Sequence, residues 1–249
     1  MKNLQEEKRP VISLNKVCKR FGGVVAADEI TLELFPKEIF GLIGPNGSGK
    51  TTLINLITGI YKVDSGTICL SDTDITNAQS YIRARKGILR TFQQPRMLKS
   101  CDIKTNIYLG IDLAKKRSIA FNFDLLDRLL DAAGLKIDMN DSIDKLSYGQ
   151  QKLLEIVRAI LAEPKVLLLD EPAAGLNYKE MEKITALIDI TIERDTSVLL
   201  IEHAMDLVMN ICNRLTVLNF GHQIASGIPE EIQDNQAVIE AYLGRDRSA

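Results

Sequence analysis

The stretch Gly44-Pro45-Asn46-Gly47-Ser48-Gly49-Lys50-Thr51-Thr52 stands directly behind the apolar run Ile39-Phe40-Gly41-Leu42-Ile43. No other feature limits the possible folds as much. A short, continuously apolar run reads as a strand buried on both faces. The residues that follow, Leu53-Ile54-Asn55-Leu56-Ile57, read as helix. Strand, glycine-rich turn with Lys-Thr, then helix is the setting in which successive backbone N–H groups form a nest for phosphate oxygens. The helix adds its positive end to that nest. Glycine is needed because such a loop uses dihedrals closed to a β-carbon and must approach its ligand closely. Within it Lys50 would reach the β- and γ-phosphates, and the Thr51 hydroxyl would ligate Mg²⁺.

The length of 249 residues suits one large α/β domain or a domain with a small satellite. A net charge of −2, from 31 basic and 33 acidic residues, offers no electrostatic reason to expect a nucleic-acid partner. No apolar stretch approaches the ~18 residues needed to cross a bilayer. Residues 1–10 are charged rather than apolar, so no secretory signal is expected. Cys18, Cys69, Cys101 and Cys212 lack metal-ligand spacing and are expected as reduced, buried thiols. With only two histidines, a His-based metal site is not expected.

Along the chain, residues 11–34 alternate and break at Phe21-Gly22-Gly23, as two strands around a turn would. Asp64-Ser65-Gly66 reads as a turn, and residues 67–70 as a strand. Between about 94 and 145 the long apolar runs vanish, and residues 123–133 carry leucines and alanines at helical spacing. Apolar strands return at 165–169 and 197–201, separated by a helical pattern over 179–194. Strands without a polar face, alternating with helices, imply a parallel sheet covered on both sides. Residues 214–225 read as a hairpin turning at Phe220-Gly221, Pro229 opens a short helix, and a polar tail starts at Gly244.

Ligands of open α/β sheets bind beyond the carboxyl ends of the strands. Three of the buried runs end there in polar residues: one in the glycine-rich loop, one in Asp170-Glu171-Pro172, one in Glu202-His203. Asp170 is placed to hold Mg²⁺ through water, and Glu171 to polarise an attacking water as general base. The competing reading of this pair is a simple acidic cap on the next helix. His203, as a neutral imidazole, would hydrogen-bond the γ-phosphate. His222 lies in a turn and reads as a surface residue.

Leu146-Ser147-Tyr148-Gly149-Gln150-Gln151, ahead of a helical stretch and the Asp-Glu strand, resembles the Leu-Ser-Gly-Gly-Gln signature of ABC ATPases. Ser147 with Gln150 also reads as a capping box, and a capped helix start is itself an anion site. Gln93 matches the Q-loop glutamine of that family and Phe21 the aromatic that stacks on adenine. Residues 174–177 match the D-loop, and His203 the switch histidine. Arg90-Thr91-Phe92-Gln93, the signature with its following residues, and Ile239-Glu240-Ala241-Tyr242-Leu243-Gly244 look like the ATP-binding subunits of branched-chain amino-acid importers and their urea or amide relatives. Lipopolysaccharide-export ATPases share the tail pattern. The chain departs from the family at Ala204, where Asp is usual, and at Tyr178, where Pro is common. The helical insert is also shorter than usual for this branch.

The resemblance implies an α/β fold: a P-loop NTPase (RecA-like) core with a mixed, mainly parallel sheet, an N-terminal antiparallel β subdomain and a helical insert. It implies one ABC ATPase domain over 11–244, with 11–93 and 150–228 as core, 94–149 as helical subdomain and 229–249 as C-terminal helix and tail. It further implies ATP and Mg²⁺ as ligands. ATP would be held by Phe21 and residues 44–52 (Gly44, Pro45, Asn46, Gly47, Ser48, Gly49, Lys50, Thr51, Thr52), and the metal by Thr51, Gln93 and, through water, Asp170. Lys50, Gln93, Glu171 and His203 would carry catalysis. Ser147, Tyr148, Gly149 and Gln150 would face the ATP of a second ATPase subunit, identical or paralogous, in a two-fold dimer. Separate integral-membrane permease subunits, docking near Pro95-Arg96-Met97-Leu98, and a periplasmic solute-binding protein complete such systems. The expected place is the cytoplasmic side of the inner membrane. Rival readings are a soluble non-transport ABC ATPase, an export ATPase and a non-hydrolysing ATP-binding regulator. A GTPase is disfavoured because no Asn-Lys-x-Asp guanine motif is present.

Overall fold

The computed structural model describes residues 9–120 and 122–243; the amino-terminal residues 1–8 and the tail from Gly244 lie outside that description. In chain order come β1 (Ile12–Phe21), β2 (Val24–Leu34), β3 (Ile39–Ile43), α1 (Lys50–Ile57), β4 (Ser65–Leu70), β5 (Thr73–Asp74), α2 (Ser80–Lys86) and β6 (Ile88–Arg90). A strand-free stretch follows, with α3 (Ile103–Lys115), α4 (Phe123–Ala132) and a 3-10 turn (Ile143–Lys145), leading into α5 (Tyr148–Leu161). The last part holds β7 (Val166–Asp170), α6 (Tyr178–Glu193), β8 (Ser197–Ile201), α7 (Met205–Ile211), β9 (Arg214–Asn219), β10 (His222–Gly227), α8 (Pro229–Gln233) and α9 (Gln236–Leu243).

Two sheets result. The first is antiparallel, in the order β2-β1-β4-β5. The second runs β10-β9-β3-β8-β7-β6 and is parallel except for the β9–β10 hairpin. Its central strands are buried at every position, and period-2 alternation divides them between two cores. Phe40, Leu42, Leu168, Leu199 and Ile201 face α1 and the antiparallel sheet. Ile39, Ile43, Leu167, Leu169 and Leu200 face the core built on α5 and α6. The expected mixed, mainly parallel sheet with an antiparallel β unit is therefore what forms. The hairpin turns at Phe220-Gly221, both at positive φ, as a two-residue turn between right-twisted strands requires.

Two local expectations change. The turn expected at 64–66 is largely absorbed by β4, which starts at Ser65 and pairs with β1 across a bulge between Asn15 and Cys18. Of the four cysteines only Cys212 is buried, and burial pushes its thiol up to about 12. Cys18, Cys69 and Cys101 are half-buried, the first two on sheet strands whose outer side is not fully covered.

Arg83 on α2 is 1% exposed and carries an unusual load. Its guanidinium donates to Leu56 O (2.6 Å) and Ile57 O (2.8 Å) at the end of α1, and to Thr76 O and Ala78 O. It thus serves Ile57 O at the helix terminus, adds to the Gly59 N bond at Leu56 O, and satisfies two loop carbonyls. Arg83→Met should lower folding stability by about 3–5 kcal/mol, since each abandoned buried carbonyl costs roughly 1–3 kcal/mol. Denaturant unfolding measures this. A loss below about 1 kcal/mol would mean that water reaches these carbonyls.

Candidate active site

Because β3, β8 and β7 are neighbours, their carboxyl ends place three chemically distinct segments side by side. β3 runs into the glycine-rich loop, which is wedged against other backbone. A β-carbon on Gly44 (φ +148°) would lie 2.1 Å from Leu218 O, and one on Gly49 (φ +111°) 2.3 Å from Ala26 O. The loop is braced from behind by the hairpin: Gly221 N donates to Ser48 O (2.9 Å), and Asp28 N to Gly221 O (2.8 Å). Lys50 is buried and donates to Gly44 O (2.7 Å) and Pro45 O (3.0 Å).

A cavity of about 340 Å³ opens on this loop. Asn46, Gly47, Ser48, Gly49, Lys50, Thr51 and Thr52 form its floor, Phe21 and Val25 one end, and Glu171 and His203 the other. Phe21 is packed edge-on against Tyr61, with ring centroids 5.2 Å apart. A second cavity, also about 340 Å³, shares Thr51 and Glu171 with the first; Arg90, Gln93, Gln94, Arg96 and Asp170 complete its polar lining.

Glu171 is the meeting point. Gln93 Nε2 donates to one carboxylate oxygen (2.7 Å), and His203 Nε2 stands 3.1 Å from the other. An Nε2–H imidazole donates there, so His203 touches the carboxylate in this arrangement. The acidic pair does not cap the next helix: α6 starts at Tyr178 behind its own capping box of Asn177 and Glu180. Tyr178 takes the first helical position, where proline is favoured for its preset φ; the Asn177 cap serves in its place. Ala204, at the start of α7, provides no side-chain cap.

Two residues to which the sequence reading gave no role hold this centre in place. Arg90, almost fully buried, donates to Asp170 Oδ2 (2.7 Å) and also to Asn55 Oδ1 on α1. Glu202 accepts from Ala173 N (2.6 Å) and His203 N (3.0 Å), joining the ends of β7 and β8. In the sequence Arg90 stood only as part of the Arg-Thr-Phe-Gln stretch and Glu202 only as a polar strand end beside His203.

The signature residues are arranged differently. Ser147 caps α5, its hydroxyl accepting from Gln150 N (3.2 Å) while Gln150 Oε1 accepts from Ser147 N (2.9 Å). Ser147 and Tyr148 are exposed; Gly149 is buried beneath Glu180. None of residues 147–150 lines either cavity.

The family described as ABC transporter matches residues 27–174, which contain the loop, Gln93, the signature and the Asp-Glu pair. The chain belongs to the ABC transporter family. A second family, described as branched-chain amino acid ATP-binding cassette transporter, matches residues 222–248 of this cassette. The cassette is 40% identical over 251 residues to the high-affinity branched-chain amino acid transport ATP-binding protein LivG of Escherichia coli K12, covering 95% of this chain and 98% of LivG. It is 39% identical, with the same coverage, to the corresponding protein BraF of Pseudomonas aeruginosa. Among solved structures, MJ1267, an ATP-binding cassette of an ABC transporter, superposes with a TM-score of 0.81 at 31% identity, covering 94% of this chain and 99% of that one. As an ABC cassette the chain is an ATP-binding ATP hydrolase.

Proposed function

We propose that this cassette powers the import of branched-chain amino acids, or a similar small polar solute, through separate permease subunits. The observation that carries its hydrolytic part is the Glu171 carboxylate held between Gln93 and His203 at the mouth of the phosphate loop. The cargo rests on the likeness to LivG and BraF and on the branched-chain family match at 222–248.

Residues 44–52 cradle the triphosphate, and Phe21 stacks on the adenine ring. The fit is seen in the wedged glycines and in Ser48 Oγ, which is buried with no hydrogen-bond partner in the protein. Among the described residues no three His, Cys, Asp or Glu side chains gather as a metal cage. A hard cation would instead be held by Thr51 and Gln93, with Asp170 reached through water, which suits an ion that keeps much of its hydration. Mg²⁺ bound there supplies charge neutralisation at the β- and γ-phosphates. Glu171 takes the proton of the attacking water. Gln93 fixes the direction of that carboxylate, and His203 stands ready to exchange its contact with Glu171 for one with the γ-phosphate.

Ser147, Tyr148, Gly149 and Gln150 serve a second cassette, a copy or a paralogue, whose ATP the capped start of α5 would grip. For the permease, an apolar hollow of about 310 Å³ lies between β6, α3 and α5, walled by Leu89, Leu109, Leu113 and Ala159 beside the Q-loop. It takes a short permease helix. Of the residues expected beside the permease, Pro95 and Arg96 line the cavity at Gln93 and Asp170, Met97 packs on the core and Leu98 is exposed. No helix among the described residues is long and apolar enough to cross a membrane. The proposed place, as a peripheral subunit on the cytoplasmic side of the inner membrane, rests on the likeness to LivG and BraF. A periplasmic solute-binding protein would deliver the cargo. We divide the cassette into a core (11–93 and 150–228), a helical subdomain (94–149) and a C-terminal extension (229–249).

Proteoliposomes carrying the cassette with a branched-chain permease pair and its binding protein test this reading. ATP-dependent uptake of radiolabelled leucine is expected. ATP turnover without uptake would remove the proposed cargo.

A further inference from the structure

Three polar residues of α5, Tyr148, Lys152 and Glu155, are spaced by four and three positions and so share one stripe of the helix. That stripe packs on backbone groups at and beside Gln93 and Glu171 of its own chain. The Tyr148 hydroxyl donates to Gln93 O (3.1 Å). Glu155, buried, accepts from Arg96 N (2.9 Å) and Phe92 N (3.4 Å), on either side of Gln93. Burial pushes the Glu155 carboxyl up, against the pull of those two amides. Lys152, 2% exposed, donates to Glu171 O (2.6 Å) and Ala174 O (2.9 Å).

An ammonium group in the interior needs a reason to be there. Burial pushes the Lys152 pKa down, and the negative charges of Glu202, Glu171, Glu155 and Asp170 oppose that shift only in part. Its direct hydrogen bonds nevertheless go to peptide oxygens, and one belongs to Glu171. Glu171 has φ +48°, a left-handed conformation that a side chain disfavours by roughly 1–2 kcal/mol. Something must hold it. On the amino side, Glu171 N donates to Ile201 O (2.9 Å). On the carbonyl side Lys152 supplies the short bond, whereas the turn's own bond, from Ala174 N, is 3.2 Å long.

We propose that Lys152 is a positioning residue for ATP hydrolysis. It holds the Glu171 peptide in the conformation that aims the carboxylate at Gln93 and His203, and so ties the base to the signature helix of the same subunit. Movement of α5, when its capped end meets a partner's nucleotide, is then felt directly at Glu171. This rests on Glu171 being the general base.

The test compares wild type, Lys152→Met, Lys152→Arg and Glu171→Gln by phosphate release and by calorimetric titration with ATP. Lys152→Met should lower kcat about 100-fold, the effect of misplacing a catalytic group by about 1 Å, with the Kd for ATP unchanged within about threefold. Lys152→Arg, whose fork can reach both carbonyls, should recover to within about tenfold of wild type. Where Lys152→Met does not fold, Lys152→Gln takes its place, a polar side chain one atom too short to keep the bond to Glu171 O; it should show the same loss of kcat. Wild-type turnover in Lys152→Met, equal loss of kcat and ATP affinity, or loss in Lys152→Arg as deep as in Lys152→Met overturns the proposal. Normal turnover in Glu171→Gln would instead remove Glu171 as the base, a separate failure.

Discussion

Replacing Glu171 by Gln should lower ATP turnover by about 10²–10⁴-fold, the usual contribution of a positioned general base, with ATP affinity unchanged within about threefold. The substitution removes the proton acceptor and little else. The Gln side chain keeps the shape of Glu, Gln93 can rotate its amide to match it, and His203 can present Nε2 as an acceptor in its other tautomer. The two contacts now made at 2.7 and 3.1 Å can therefore both survive. Single-turnover phosphate release, beside calorimetry with ATP, separates chemistry from binding. Turnover within a few-fold of wild type would transfer the role of base to another group.

Lys50→Ala should act on the other half of the cycle, weakening ATP binding by about 10–100-fold, as expected for loss of a charged hydrogen bond worth roughly 1.5–3 kcal/mol. The Lys50 ammonium rests on Gly44 O and Pro45 O, so part of the loop's own bracing goes with it. Thermal unfolding without ligand shows how much of the effect is structural. Unchanged affinity in a folded variant would contradict the assignment of residues 44–52 as the phosphate cradle.

The middle of the sheet was legible because its strands are short, almost wholly apolar and bounded by polar turns. Residues 39–43, 166–170 and 197–201 need no partner information to be recognised. The strand ends were legible too, since a polar residue closing a doubly buried strand is costly to keep there unless it serves a ligand or a hydrogen-bond partner. What stayed hidden is the set of charges that locks those ends together. Lys152, Glu155 and Arg158 recur every three residues of α5 and look like a solvated face, yet two of them are buried and Arg158 is mostly so. The pattern misleads because α5 is covered on more than one side. Its apolar residues Leu153, Leu154, Ile156 and Val157 pack into the core, while its polar stripe packs on peptide groups, which want charge or N–H donors rather than methyl groups. Arg90 and Arg83 were hidden likewise, because a guanidinium that serves carbonyls or a single buried carboxylate has no sequence spacing to betray it.

The β9–β10 hairpin sits far along the chain, but its Phe220-Gly221 turn is the wall on which the nucleotide cradle leans. Trimming the protein from its carboxyl end would therefore do more than shed a peripheral extension. Once the cut passes Gly221, the amide that steadies Ser48 is gone, and a region more than 170 positions earlier loses its backing. Any minimal fragment that keeps this brace has to extend at least through that turn.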